Sequence, residues 1–349
     1  GGIKAVVWTD LIQVTLMFGA AIYVFFWLLG KTGGWESLTS SVLQPVAIDT
    51  GIRPEHSVGE SIKFILEQEY TIWAALLGSI FTTLATHGTD QDMVQRMLTS
   101  KDAKKGQRAV IVSGLVDLPV VVGFLAIGIL IWKFYQLNPD RAPSHDPGIF
   151  AWFMVHDLSP GLRGLIAAGL FATAMGSLST ALNALATTFT KDWYVGVFRP
   201  LASSLEQMKA ARVSTVVFAV LLALIGIGTA FVKLKNPELR IIPIVLGSFG
   251  YTYGSLLGIF LVGMLTKTRG NCQGNMIAMV AGFIAVAFLT DLPNQCWEMI
   301  VGKAWGPLYE NPAWLPTIAF TWRIMAGTLV TVAVALCFPS KRVLRDEPI

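Results

Sequence analysis

The chain has 349 residues, 54% of them hydrophobic and only 14% charged, with 26 Lys and Arg against 22 Asp and Glu. A soluble globular protein carries about 25% charged residues, so this deficit, with repeated apolar runs of about 19 residues or more, points to a membrane protein. The net charge of +4 calls for no nucleic-acid partner, and neither the four histidines (His56, His87, His145, His156) nor the three cysteines (Cys272, Cys296, Cys337) have the spacing of a metal site or a disulfide framework.

The first apolar span covers about 5–29 and opens within five residues of a Gly-Gly start that lacks Met and a charged leader. The sequence is therefore expected to be processed or to be the C-terminal part of a longer chain. Asp10 lies one to two turns into this span, in AVVWTDLIQ. A carboxylate near a helix N-terminus is steadied by the helix dipole, worth about 0.3–1 kcal/mol. It would meet a cation leaving by the cytoplasmic mouth; a helix-end acid bonded to Thr9 is an equal alternative.

A long connection follows, in which Val58, Ile62, Ile65 and Leu66 recur at helical spacing and predict a short surface helix within Ser57 to Glu69. The second span, about 70–89, ends in LATHGTDQDMVQR, with Thr82, Thr83, Thr86, His87 and Gly88 making its lower half polar and breakable. Discontinuous helices at the midplane expose backbone groups for solute sites in many secondary transporters. A helix simply emerging from the bilayer would read the same way. The third span, about 109–133, holds Asp117 and Pro119. An intramembrane acid is a functional candidate, although a polar partner at the proline kink would also satisfy it.

The fourth span, about 161–187, runs into ATAMGSLSTALNALATTFTKDWY, residues 172–194. Thr173, Ser177 and Thr180 recur at i, i+4 and i+7, so one face carries hydroxyls while Gly176 bares the backbone beside them. Oxygen at membrane depth is costly unless it lines a cavity or finds a partner. The pattern fits a hard-cation site, and it equally fits tight helix packing with hydroxyls bonded back one turn. The fifth span covers about 213–232. The sixth, about 241–266, presents Gly247, Gly250, Tyr251, Tyr253, Gly254 and Gly258, a surface suited to close contact or to lining a solute path. The seventh and eighth spans cover about 274–292 and 315–338.

Basic residues near the span ends set the orientation. Arg96, Lys101, Lys104, Lys105 and Arg108, then Lys191, Arg199, Lys209 and Arg212, then Lys267 and Arg269, fall on the same side as Lys341, Arg342 and Arg345. Both ends are therefore expected in the cytoplasm of a multi-pass cell-membrane protein. No nucleophile, base or metal cluster converges, so the chain does not read as an enzyme.

Four segments in order carry a resemblance: GGIKAVVWTDLIQ at the start, GTDQDMVQRMLTSKDAKKG after the second span, GSLSTALNALATTFTKDWY in the fourth and GSLLGIFLVGMLTKTRGN in the sixth. The chain resembles the sodium:solute symporter family over nearly its whole length. The resemblance implies an all-α polytopic fold, part of a five-plus-five inverted repeat of the LeuT-like kind, in a single transmembrane domain over 1–349. The span at 5–29 would be the last helix of the first repeat, 70–266 the second repeat, and 274–338 two additional C-terminal helices. The first four core helices would be missing N-terminal partners of the same protein, and the piece would not transport alone.

The resemblance further implies sodium-coupled symport of a small polar or anionic organic solute by alternating access, with Na+ as coupling ion and no other cofactor. It places the sodium site at the Thr173 carbonyl and at two hydroxyl positions that here hold Gly176 and Ser177. Gly176 lacks the side-chain oxygen, for which Thr180 or a water would substitute. Asp10 matches an acid linked to sodium exit. The positions of the sugar contacts hold Thr83, Thr86, His87, Leu115 and Leu246, which argues against a hexose. Solute-lining candidates are Thr83, Thr86, His87, Tyr251 and Tyr253. Proton coupling on the same fold and a membrane sensor module are the alternatives.

Overall fold

The computed structural model describes residues 2–42, 49–98, 100, 102–143, 148–236, 241–302, 306–310, 312 and 315–340. The elements, in order, are α1 (Gly2–Lys31), α2 (Gly34–Val42), α3 (Val58–Glu67), a π-helical turn (Ala74–Gly78) leading into α4 (Ser79–Gly88), α5 (Gln91–Leu98), α6 (Ala103–Leu137), α7 (Ile149–His156), α8 (Pro160–Thr188) running on as a π-helical segment (Phe189–Phe198), α9 (Ser204–Lys235), α10 (Ile241–Leu265), α11 (Cys272–Leu289), α12 (Leu292–Val301) and α13 (Phe320–Leu336). Among the described residues there is no sheet, only a single bridge between Arg269 and Pro339. The fold is all-α.

Among the described residues, six helices are long and apolar enough to cross a membrane: Leu11–Lys31, Ala103–Leu137, Pro160–Phe198, Ser204–Lys235, Pro243–Leu265 and Cys272–Leu289. The chain is a multi-pass membrane protein. Two of the eight expected spans are shorter than the sequence suggests. In the stretch 70–89, Thr71 caps the helix start, its hydroxyl accepting from the Ala74 amide at 3.2 Å, so the helix opens only at 72, and the π-helical turn Ala74–Gly78 then interrupts it before α4. In 315–338, Pro316 has no amide to donate, and the Ile318 and Ala319 amides donate to Leu289 and Leu66 carbonyls instead of starting a helix. That leaves 17 residues for α13.

The expected surface helix is α3, and its start is a capping box. The Glu60 amide donates to Ser57 Oγ and the Ser57 amide to the Glu60 carboxylate at 2.7 Å. These bonds hold the fully exposed Glu60 carboxyl below the ordinary carboxylate pKa range, the Ser57 amide contributing most.

The chain forms two compact units. The first comprises 1–45 and 97–238, with α1, α2 and α6 to α9. Its core is at one end of α1 and α6, where Leu28, Leu130, Ile131 and Phe153 have no more than 1% of their surface exposed. The ring of Phe153 lies 5.8–5.9 Å from those of Phe134 and Trp27. Above it the buried Asp157 carboxylate accepts from the Tyr135 hydroxyl at 2.6 Å and from the exposed Arg141 guanidinium at 3.3 Å. The opposite half of α1 packs on α8, close enough that a Cβ on Gly169 would lie 3.6 Å from the Met17 Cα.

The second unit comprises 46–96 and 239–349, with α3, α4 and α10 to α13. Here glycines set the spacing. A Cβ on Gly254 of α10 would lie 2.6 Å from the Ile324 carbonyl oxygen of α13, and one on Gly258 would lie 2.6 Å from the Thr331 Cβ. The α3 end is pinned to the start of α13 by the Ala319 amide donating to the Leu66 carbonyl at 2.8 Å and the Trp322 indole donating to the Ile65 carbonyl at 3.0 Å.

Candidate functional site

The hydroxyl face of α8 is present as a continuous helical stripe. Thr173 Oγ1 donates to the Gly169 carbonyl at 2.9 Å and lies 3.5 Å from Met17 Sδ, so this residue meets α1. Thr180 is buried and donates to the Gly176 carbonyl at 2.9 Å, and Gly176 is itself buried. Ser177 is exposed, as Thr173 is, but unlike those of Thr173 and Thr180 its hydroxyl makes no hydrogen bond among the described residues. Three of the four expected sodium-site residues are thus packed or back-bonded, while Ser177 keeps a free oxygen one turn from the Thr173 carbonyl. Asp10 lies in α1, and its side chain is outside the described residues.

In the second unit a cavity of about 610 Å³ opens between the π-helical turn with α4 on one side and α10 with α13 on the other. Its wall carries the hydroxyls of Tyr70, Ser79, Thr82, Thr83 and Thr321, the carboxylates of Asp49 and Glu69, and the apolar Leu246, Phe249, Phe320 and Ile324. Asp49 is paired with Arg53 at 3.1 Å. Thr82 Oγ1 donates to the Gly78 carbonyl at 2.8 Å, which leaves it few bonds to offer a solute. Thr321 Oγ1 is buried and has no hydrogen-bond partner among the described residues.

Of the five residues expected to line a solute path, Thr83 is on this wall and the others are engaged elsewhere. Thr86 Oγ1 donates to the Thr82 carbonyl at 3.0 Å, and His87 Nδ1 is 3.2 Å from the Thr83 carbonyl. Tyr251 points to the α11 end, with its hydroxyl 2.9 Å from Thr290 Oγ1 and the Arg323 guanidinium 5.4 Å from its ring. Tyr253 donates to Asp90 Oδ2 at 2.6 Å. The irregular turn is also displaced from its expected place: α4 is regular through Thr82–Gly88, and the π-helical turn lies before it, at Ala74–Gly78. Hydroxyls bonded to their own backbone do not break α4.

Sequence reasoning passed over Phe249 and Thr321 as cavity residues. Gly247 and Gly250 were a usable signal, since they mark the α10 face that Arg323 of α13 occupies. That contact places Leu246 and Phe249 beside it, on the cavity.

The profile of the sodium:solute symporter family matches residues 1–282. The chain belongs to this family. Among symporters of the family, it is 27% identical over 289 residues to the sodium/sialic acid symporter SiaT of Proteus mirabilis, an alignment covering 82% of this chain and 55% of that one. It is 28% identical over 355 residues to the sodium-dependent multivitamin transporter of Oryctolagus cuniculus, covering 96% of this chain and 51% of that one. A solved structure of a Na+-coupled sialic acid symporter in its substrate-bound, outward-open state matches with a TM-score of 0.74 at 24% identity, covering 97% of this chain and 62% of that chain. The symporter fold is shared at that level. The chain spans about half the length of the curated relatives it matches.

Proposed function

We propose that the whole protein is a sodium-coupled symporter that moves a small polar or anionic organic solute across the cell membrane by alternating access. The observation that carries this reading is Ser177: it stands in the family's α8 motif, exposed, with a hydroxyl that no described residue uses. A sodium ion there would take the Thr173 carbonyl and the Ser177 hydroxyl, with Thr180 or a water supplying what Gly176 lacks, and Asp10 would stand on the exit path. Lipid, the solute, Na+ and the N-terminal helices of the longer protein are its partners. The stretch 5–29 serves as the last helix of the first repeat, 70–266 as the second repeat and 274–338 as the C-terminal addition to one transmembrane domain, with both ends cytoplasmic by the excess of Lys and Arg on that side.

The cavity beside α4 fits the solute half of this reading. Its wall of hydroxyls, apolar side chains and the Asp49 and Glu69 carboxylates suits a small polar molecule, and Thr83 and Leu246 are wall residues that the family registration also selects. Coupling would be differential binding: sodium shifts the conformational equilibrium only by the difference in its affinity for the two states. One charge moving inward through 100 mV adds about 2.3 kcal/mol of drive.

Uptake of radiolabelled candidate solutes, sialic acid and monocarboxylates first, by the full-length protein in proteoliposomes tests this. Uptake is expected in sodium and not in choline. Ser177→Ala is expected to raise the half-saturating sodium concentration about tenfold, equivalent to about 1.4 kcal/mol. Equal uptake in the two media rejects sodium coupling, and uptake driven by a pH gradient alone would favour protons.

A further inference from the structure

We propose that the hydrogen bond from Tyr253 to Asp90 is a latch that closes the inner end of the cavity, resting on the reading of that cavity as the solute site. The two residues are 163 positions apart and meet at 2.6 Å, the length of a hydroxyl donating to a carboxylate. Asp90 stands at a joint. The Thr89 amide and hydroxyl both donate to the Ala85 carbonyl, at 3.0 and 2.7 Å, which ends α4, and the Val94 amide donates to the Asp90 carbonyl at 2.9 Å, which starts α5. The other end of α4 is the π-helical turn Ala74–Gly78. A ten-residue helix with an irregular joint at each end is a segment able to swing.

Tyr253 also faces the cavity through one intermediary. Its ring lies edge-on to Phe249 at 5.3 Å, and Phe249 is on the cavity wall. Just beyond, Ala85 of α4, Leu257 of α10 and Ile324 of α13 have 4% or less of their surface exposed and form an apolar plug against which Tyr253 packs. Along α10 the wall residue Phe249 is followed by Tyr253 and then Leu257, and along α4 the wall residue Thr83 is followed by Ala85 and then Asp90, so on both helices latch and plug lie together past the wall. A solute leaving the cavity past Asp90 has to part α4 from α10 at this bond. By the orientation proposed above, that end is cytoplasmic. Tyr253 is a positioning residue: it holds the closed state and does not touch the solute.

The test uses the full-length protein with its cysteines, Cys272, Cys296 and Cys337 included, changed to serine, and a reporter thiol introduced by Thr83→Cys. A membrane-impermeant maleimide is applied to the cytoplasmic face of inside-out vesicles. Tyr253→Phe keeps the ring contact with Phe249 and removes the donor, and is expected to raise the labelling rate roughly tenfold, the factor that a hydrogen bond to a charged group carries. Asp90→Asn retains an acceptor oxygen, so a smaller increase is expected, and it serves as the second variant if Tyr253→Phe does not fold. An unchanged labelling rate in the folded variants overturns the latch. The readout needs no sodium, and uptake is measured separately on the protein that keeps Thr83: faster labelling with no sodium-dependent uptake by that protein would sink the symport reading alone, and the reverse result would sink the latch alone.

Discussion

Phe153→Ala is expected to cost about 3–5 kcal/mol, the range for truncating a buried aromatic residue, and to free α7 from the first unit. The side chain is fully buried. Its ring is surrounded by Trp27 of α1 at 5.9 Å and by Phe134 and Tyr135 of α6 at 5.8 and 6.5 Å, so one residue of an eight-residue helix joins two long ones. Trp152 and Met154 of α7 also pack against this core but are only partly buried. Hydrogen bonds at the end of α7 depend on the ring as well. The Asp157 amide donates to the Phe153 carbonyl at 3.0 Å, and the Asp157 carboxylate holds the Tyr135 hydroxyl beside it. Once α7 lifts, Tyr135 loses its acceptor and a buried carboxylate meets water. Thermal unfolding of the purified protein in detergent should show a large drop, and Phe153→Leu should recover most of it by refilling the volume. An unchanged melting temperature for Phe153→Ala would mean that the ring does not hold α7 in place.

The long helices were legible because membrane helices announce themselves by length and apolarity, and α8 and α10 lie close to where the sequence puts them. The short surface helix was legible too, from Val58, Ile62, Ile65 and Leu66 alone. The late start of α13 was hidden because its cause is a bond to a distant carbonyl at Leu66, which no local pattern records. The π-helical turn at Ala74–Gly78 was hidden for a similar reason: AALLG has no residue that asks for it.

At the candidate site, periodicity placed the hydroxyls of α8 on one face, and they are on one face. It could not say which of them bonds back to the helix and which stays free, since Thr173, Ser177 and Thr180 all carry a hydroxyl and a repeat does not record which carbonyl each one finds. Tyr251 and Tyr253 show the same limit. Two residues apart on a helix, they point about 200° apart, and their destinations, Thr290 and Asp90, belong to the tertiary fold. The hydroxyl-rich end of the second span looked breakable because Ser and Thr compete for backbone groups. Here that competition is resolved inside the helix, with Thr82, Thr86 and Thr89 each bonded four residues back.

Gly282→Ala is expected to cost about 1–3 kcal/mol as an overpacking change, with the loss concentrated where α10, α11 and α13 meet. A Cβ at this position would collide with Thr331 Oγ1 and lie 2.6 Å from Ser255 Oγ and 3.0 Å from the Gly327 carbonyl oxygen. None of these neighbours is the free end of a flexible chain. Thr331 and Ser255 are buried at 0% and 3% exposure, and Gly327 is itself so closely packed that a Cβ there would lie 3.3 Å from the Gly254 Cα. The two hydroxyls are buried and have no hydrogen-bond partner among the described residues. Because the collision is sharpest with Thr331 Oγ1, Thr331→Ala should relieve it: the double variant Gly282→Ala, Thr331→Ala is expected to be more stable than the sum of the two single losses. Detergent melting curves of all four proteins form the cycle. Strict additivity would show that α11 has room to shift, and the glycine contacts would then describe proximity without setting the helix spacing.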